Sequence, residues 1–439
     1  DQGESNTSTG NRERQKHTFR RKSAKTQLQE NKYMKSVVVG SGGREHALAH
    51  VLGRDSDVTV TPGNPGIPNS TNQSPLKIDA DLFVIGPEVP LVDGLADQLR
   101  SQGKTVFGPG ADGAQLEGSK AWMKELLVEA NVPTAKHGAF TDQDKAITFL
   151  SEMPLPYVIK TDGLAAGKGV IVTESLNEAK SAIKNYLSGD AFGDAGKTVV
   201  IEEGLIGNEI SILAICDGTR AVPLTPAQDY KRLLNNDEGP NTGGMGAYSP
   251  IPSVSEAFVK QIMDEAVQPT LQTLIARGID YRGVLYAGVM NTASGPKILE
   301  YNVRFGDPEA QVVLPRMKSS LFGLLKEAAQ GNIEHSPDFI DDVMVTVVCA
   351  SEGYPEAPQT GKVIKGLDDA RNQPGVEAVF CAGVSQNDRG QLITSGGRVI
   401  TVTGKGATHE QARNNAYRST DRITWQGMYK RRDIAKDIS

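Results

Sequence analysis

Residues 157–172 read YVIKTDGLAAGKGVIV, and the fold of the chain turns on this stretch. An apolar run carrying Lys160 gives way to small residues with Gly163, Gly167, Lys168 and Gly169, after which a second apolar run begins. The two runs predict short strands, which makes residues 161–169 a hairpin-like loop. Such a loop leaves backbone amides free to meet a ligand, and the two lysines add charge, so phosphate is the expected guest. The P-loop pattern is not met: it needs four residues between its first glycine and the GK pair, then Ser or Thr. Here Gly163 and Gly167 enclose three, and Gly169 takes the hydroxyl position. Taken alone, the stretch also fits a glycine-rich hairpin with two solvated lysines.

The surrounding composition narrows the class. A chain of 439 residues has length for about three domains, each able to bury a core. Sparse aromatics and 47 glycines suit an α/β enzyme with many tight turns. No apolar run reaches the roughly 20 residues of a membrane-spanning helix. Cys216, Cys349 and Cys381 are odd in number and far apart, which argues against a disulfide framework and fits a reducing, cytoplasmic location. His46 and His50 stand four apart on a predicted helix, but nothing nearby completes a metal site. Residues 1–33 hold eight Lys/Arg against four Asp/Glu, leaving 39 against 49 in the rest. An acidic body argues against nucleic-acid binding. The polar first 33 residues are expected to be a disordered, non-catalytic extension, with Met34 directly before the first strand.

Along the body, residues 35–40 predict a strand ending in GSGGRE, with a helix over 47–52. The third glycine of a dinucleotide-binding GxGxxG would be position 45, which is Glu45, yet a helix start beside Arg44 still suits an anion. A strand over 81–85 ends in GPEVPL, and a further helix and strand complete a parallel sheet with its loops at one edge. Ser119 is the expected N-cap of a helix whose apolar residues recur every 3.6 positions until Pro133. Helices are expected over 140–153, 175–187, 255–277 and 309–331, and strands over 198–201, 210–216, 283–291 and 297–305. Residues 225–252 read as a long irregular loop, mobile enough to close over phosphates. From residue 341 the pattern changes to several strands and one helix, a separate α+β module.

Three clusters carry chemistry. On the strand KILEYNVRF, Glu300, Asn302 and Arg304 share one face, and a carboxylate with an amide carbonyl suits Mg2+ that takes its other ligands from nucleotide phosphates and water. An ordinary strand with a polar outer face is the plain alternative. Glu202, Glu203 and Glu209 flank a strand end beside Leu205, where acceptors suit ribose hydroxyls and backbone suits an adenine edge; a solvated acidic turn reads equally. The 225–252 segment adds Asp229, Lys231 and Arg232 and several glycines.

Their order along the chain resembles the glycinamide ribonucleotide synthetase family, ATP-grasp enzymes of purine biosynthesis. The matching motifs are GSGGREHA (40–47), PGNPG (62–66), GPEVPL (86–91), QLEGSK (115–120), IKTDGLAAGKGV (159–170), IEEGLIGNEIS (201–211), QDYKR (228–232), GPNTGGMGAYSP (239–250), LEYNVRFGDPE (299–309), GGRV (396–399) and RRDI (431–434). The resemblance spans residues 34–434 and implies an α/β and α+β multidomain protein. Its parts would be a Rossmann-like N-terminal domain (34–118), an ATP-grasp domain (119–330, subdomains about 119–195 and 196–330) and a small C-terminal α+β domain (335–439). Lys120, Lys160 and Lys168 would hold ATP phosphates, Glu202, Glu203, Leu205 and Glu209 the adenosine, and Glu300 with Asn302 the metal, Mg2+ or Mn2+. Gly42, Gly43, Arg44, Glu45, Pro87, Glu88, Asp229, Lys231, Arg304, Gly306 and Asp307 would face the substrates, with Lys160 and Arg304 nearest the chemistry. Tyr230 stands where the family usually has histidine, and the piece after PGNPG is short of a helix.

The implied reaction joins glycine to 5-phosphoribosylamine through a glycyl phosphate, giving glycinamide ribonucleotide, ADP and phosphate. A monomer or weak dimer without nucleic-acid or membrane partners is expected. The alternatives are another ATP-grasp carboxylate–amine ligase or carboxylase, a nicotinamide oxidoreductase suggested by the N-terminal turn, and an inactive nucleotide-binding protein.

Overall fold

The computed structural model describes residues 34–164, 169–189 and 193–438. The extension over residues 1–33 and the loop residues 165–168, Lys168 among them, lie outside the described residues.

Strands β1 (Lys35–Gly40), β2 (Asp57–Pro62), β3 (Leu82–Ile85) and β4 (Val106–Phe107) form a parallel sheet in the order β2–β1–β3–β4. Val37, Val38, Leu82, Phe83 and Val84 are buried on both faces, which is why these strands are continuous apolar runs. The helix Gly43–Leu52 follows β1 directly, and between β2 and β3 there is only a single 3-10 turn, Pro75–Lys77.

A second sheet is antiparallel: β5 (His137–Phe140), β6 (Tyr157–Thr161), β7 (Val170–Thr173) and β8 (Val199–Glu203), ordered β5–β8–β6–β7. The sequence of 157–172 thus forms the expected hairpin strands. Helices Gln143–Leu150 and Leu176–Leu187 pack on this sheet through Ala146, Leu150, Ala179 and Ile183 against Ile159 and Ile201. The helix expected from residue 140 begins later, because residues 137–140 pair with β8 and Asp142 caps the helix at the Lys145 amide.

The third sheet holds β9 (Gly207–Asp217), β10 (Ala221–Pro223), β15 (Arg282–Thr292) and β16 (Gly295–Asn302) in the order β10–β9–β15–β16. The stretch expected to be a long loop instead contains β11 (Gln228–Asp229), β12 (Arg232–Leu234), β13 (Glu238–Asn241) and β14 (Gly246–Ser249). The short length of these strands and their glycines hid them: β12 and β13 pair with each other as a small hairpin, and β14, paired with β11, is held by the distant strand Val343–Ala350. β14 joins a five-stranded sheet with β17 (Val343–Ala350), β18 (Val376–Cys381) and β21 (Arg398–Gly406), in the order β11–β14–β17–β21–β18. A small hairpin of β19 (Val384–Gln386) and β20 (Leu392–Thr394) and the helix His409–Thr420 complete this module.

Two long helices expected from periodicity are interrupted. Residues 256–276 run as two α-helices joined by a π-helical turn, Met263–Val267, just ahead of Pro269, whose missing N–H cannot continue a regular ladder. Residues 310–330 break at a 3-10 turn containing Pro315 before a new helix starts at Leu321, capped by the Ser320 hydroxyl. Among the described residues no helix is long and apolar enough to cross a membrane.

Candidate active site

The cleft is lined by one face of the third sheet and by β6 and β8 of the second. On β8 the chain alternates, so Glu202 and Glu203 point opposite ways. Glu202 is 2% exposed and lies between two lysines: Lys160 Nζ at 2.9 Å and Lys124 Nζ at 3.0 Å. Burial opposes its ionisation, but the two lysines hold its carboxyl below the usual range. Lys160 sits on β6 directly across from Val200. Burial works to lower its pKa; Glu202 and Glu300 outweigh burial and raise it, so it stays a cation. Lys124 was missed by the sequence reading, although it stands one helical turn after Lys120. It bonds the Thr134 hydroxyl at 2.7 Å, and burial pushes it down to about 8. Lys120, at the start of the helix Lys120–Glu129, reaches the Gly163 carbonyl at 3.2 Å; burial chiefly lowers its pKa. Ser119 caps that helix at the Trp122 amide, and Asp162 receives both the Ser119 hydroxyl and the Ala121 amide, tying the helix to the end of β6. Glu203 turns outward to Lys297 Nζ and the Lys136 amide, each at 3.0 Å, and Leu205 is half-buried in the turn that follows.

On the third sheet, Glu209 and Ser211 of β9, Tyr286 of β15, and Glu300 and Asn302 of β16 share the cleft face by register. Glu300 faces Lys231, Lys160, Lys120 and Arg304. Burial would raise its pKa, and these cations lower it below the usual value. β16 departs from the simple alternation expected for it. A bulge pairs Gly288 with Glu300 and Val289 with Ile298, leaving Leu299 as the extra residue, so Ile298 rather than Leu299 packs inward with Tyr301. The strand also ends at Asn302, not at residue 305, because the Val303 amide donates to Glu117 at 2.9 Å instead of continuing the ladder. Arg304 therefore does not share a strand face with Glu300. It turns to Glu117 at 2.9 Å and Glu88 at 3.3 Å.

Lys231 contacts the Glu209 carboxylate and lies 3.3 Å from Asp229. Burial raises the Asp229 carboxyl to about 6 despite Lys231. Tyr286 donates to Glu309 at 2.5 Å, and a side chain on Gly306 would collide with that carboxylate. Asp307 accepts from Gln311 at 2.7 Å and faces Arg398 at 3.4 Å. Gly42 and Gly43 lie against Asp307, their added Cβ atoms falling 3.7 and 3.6 Å from its carboxylate oxygens. Arg44 bonds Glu45 at 2.7 Å and the Phe305 carbonyl at 3.1 Å, with Glu88 3.9 Å away. Burial opposes ionisation of Glu88, and Arg304 and Arg44 bring its pKa below the usual value. Glu45 itself caps its own loop: its carboxylate accepts the Gly42 amide at 2.6 Å and fills the space a Cβ at Gly86 would need, 2.1 Å away. That buried carboxylate takes the place of the glycine a dinucleotide motif requires, and the nicotinamide alternative loses its structural basis. Pro87 lies against Gly40, 3.0 Å from where its Cβ would be.

Two antiparallel sheets with a lysine-lined cleft between them, joined to a parallel N-terminal sheet, are the arrangement of the ATP-grasp class of enzymes. Comparison with known proteins carries this further. Three family models match in order: the phosphoribosylglycinamide synthetase N domain at residues 34–117, the ATP-grasp (A) domain at 118–310 and the C domain at 344–437. The chain is 45% identical over 421 residues to the phosphoribosylamine–glycine ligase of Xanthomonas campestris pv. campestris, covering 91% of this chain and 97% of that one. The solved phosphoribosylamine–glycine ligase from Thermotoga maritima superposes with a TM-score of 0.81 at 34% identity, covering 91% and 100%. The biotin carboxylase domain of the Hydrogenobacter thermophilus 2-oxoglutarate carboxylase shares the fold, with a TM-score of 0.67 at 16% identity over 91% and 92%. The chain belongs to the phosphoribosylglycinamide synthetase family, ATP-dependent carbon–nitrogen ligases.

Proposed function

We propose that the protein joins glycine to 5-phosphoribosylamine with ATP, and that the residues around Glu300 carry the reaction. The observation that supports this is the convergence of Lys120, Lys160, Lys231 and Arg304 on the half-buried Glu300 carboxylate in a chain of this family. A glycine carboxylate is a poor electrophile. It first attacks the γ-phosphate, releasing ADP and forming glycyl phosphate; the ribosylamine nitrogen then attacks the acyl carbon and phosphate leaves. Each step brings anions together, so positioned cations are the main requirement.

In this reading Lys120 and Lys160 bind the phosphates, joined by Lys168, while Glu203, Leu205 and Glu209 edge the adenosine pocket. Glu202 is committed to two lysines, so its contribution is to hold Lys160 in place. Glu300, kept ionised, and the Asn302 carbonyl are hard oxygen donors that fit a divalent cation; bound there, Mg2+ or Mn2+ would neutralise phosphate charge and orient the nucleotide. Arg304, Asp307, Gly306 and the loops carrying Gly42, Gly43, Arg44, Pro87 and Glu88 form the substrate end, with Asp229 and Lys231 across from it. Three buried, unpaired cysteines support a cytoplasmic enzyme, and we read it as a monomer or weak dimer.

A coupled ADP-release assay tests the reaction. ADP release is expected only when glycine and phosphoribosylamine are both present, with Mg2+ and Mn2+ compared side by side. Release driven by bicarbonate without glycine would assign it to a carboxylase instead.

A further inference from the structure

The C-terminal segment packs against the stretch of chain that carries Lys231. Arg431 is fully buried, and its guanidinium bonds Asp433 through Nε at 2.8 Å and Nη2 at 2.7 Å, and the Arg232 carbonyl and Asp237 through Nη1 at 3.0 and 2.8 Å. Its guanidinium carbon lies over the Tyr230 ring, 4.9 Å from the ring centre. The Tyr230 hydroxyl accepts the Ala435 amide at 3.0 Å. Asp433 also receives the Asn236 amide at 2.8 Å, and the Arg432 amide donates to Asn235 at the same distance. The β12–β13 hairpin is thus pinned at its base and at its tip by residues 431–435, while all of β13 is exposed. Lys231 lies between Tyr230 and Arg232, the two residues Arg431 grips. Its carbonyl is fixed by the Thr242 amide at 2.7 Å, and its ammonium faces Asp229, Glu209 and Glu300. Adjacent residues on extended backbone point to opposite sides, so a ring locked beneath Arg431 sets the direction of the neighbouring lysine.

We propose that Arg431 is a positioning residue for the reaction: by clamping Tyr230 and the base of the β12–β13 hairpin it aims Lys231 into the cleft. The planar guanidinium is required, because an ammonium offers neither the fork to Asp433 nor the stacking face. The inference rests on the proposed reaction, and it makes the C-terminal module part of the catalytic geometry rather than an appendage.

Arg431→Lys keeps the charge and removes the fork, and Asp433→Asn weakens the same clamp from its other side. We expect kcat with saturating substrates to fall about tenfold or more in each, as displaced positioning groups do, while the KM for ATP stays within about twofold. Hydrogen exchange should quicken at amides 229–246 and stay unchanged in β17 and β21. The proposal is overturned if both variants turn over within about twofold of the parent. It also falls if rate loss comes with an equal rise in the KM for ATP and faster exchange throughout the C-terminal sheet, or if neither variant folds. A parent enzyme that releases ADP without glycine would sink the reading of the reaction, and the exchange comparison would still decide the clamp.

Discussion

Lys160 is directly ion-paired to the buried Glu202, which keeps Lys124 when Lys160 is removed. That arrangement separates activity from folding. Lys160→Met should lower kcat by at least about 10²-fold, the scale of losing a preorganised electrostatic group, while the circular dichroism spectrum is retained. Glu300→Ala should abolish ADP release and the protection that Mg2+ with ATP gives against thermal unfolding. Turnover at the parent rate in either variant would refute their assignment. Asp229 adds a pH signature. With its carboxyl raised to about 6, it takes up a proton and loses its ion pair with Lys231 as the pH falls below that value. The kcat/KM profile should show an acid limb near pH 6 that disappears, at a lower plateau, in Asp229→Asn. The same shift makes its ionisation a cost to folding that grows as pH rises from about 4 to about 6.

At the level of elements, the helix Lys120–Glu129 delivers two lysines to the cleft, and its orientation depends on the Ser119 cap and on Asp162. Ser119→Ala removes an N-cap bond and should cost about 1 kcal/mol of stability, read from the shift in the denaturant midpoint. It should also raise the KM for ATP, because Lys120 occupies the first turn. A stability loss with unchanged KM would confine Ser119 to a structural role. This cap was legible in sequence as a Ser before a 3.6-residue apolar period, as was the hairpin of β6 and β7. The bulge at Leu299 and the end of β16 were not. Alternation in KILEYNVRF reads as one continuous strand, and only Glu117, 186 residues away, draws the Val303 amide out of the ladder.

Across the whole molecule, the N- and C-terminal modules are joined by contacts between residues that sequence separates by hundreds of positions. Asn64 donates to the Cys381 and Ala382 carbonyls at 3.2 and 3.1 Å, and His46 Nδ1 accepts the Cys381 amide at 2.9 Å beside the Phe380 ring. Burial, with His50 and Arg371 nearby, lowers the His46 pKa to about 3. The unfolded chain takes up its proton near about pH 6.5 and the folded protein does not, so stability is lost as pH falls through that range. Between about pH 7 and pH 5 the loss should be on the order of 1–2 kcal/mol, and His46→Gln should remove it. Equal acid sensitivity in that variant would place the effect elsewhere. Arg398 joins the C-terminal module to the central domain instead, bonding the Gly243 carbonyl at 2.7 Å and the Asp307 carbonyl at 2.6 Å.

The order of the motifs, the apolar periods and the residue types of the candidate cleft were written locally in the chain, because strand propensity, helix capping and turn formation depend on residues a few positions apart. The sequence by itself therefore determined the family and the fold class, and its motifs named Lys120, Lys160, Glu300 and Lys231 as candidates. What only the tertiary structure decided were the partnerships across long separations. These include the buried Lys124–Glu202–Lys160 set, the exit of Arg304 from its strand toward Glu88 and Glu117, the conversion of an expected loop into strands of the C-terminal sheet, and the grip of Arg431 on Tyr230. A charged or buried side chain is placed by whichever distant group satisfies it, and no local pattern names that group in advance.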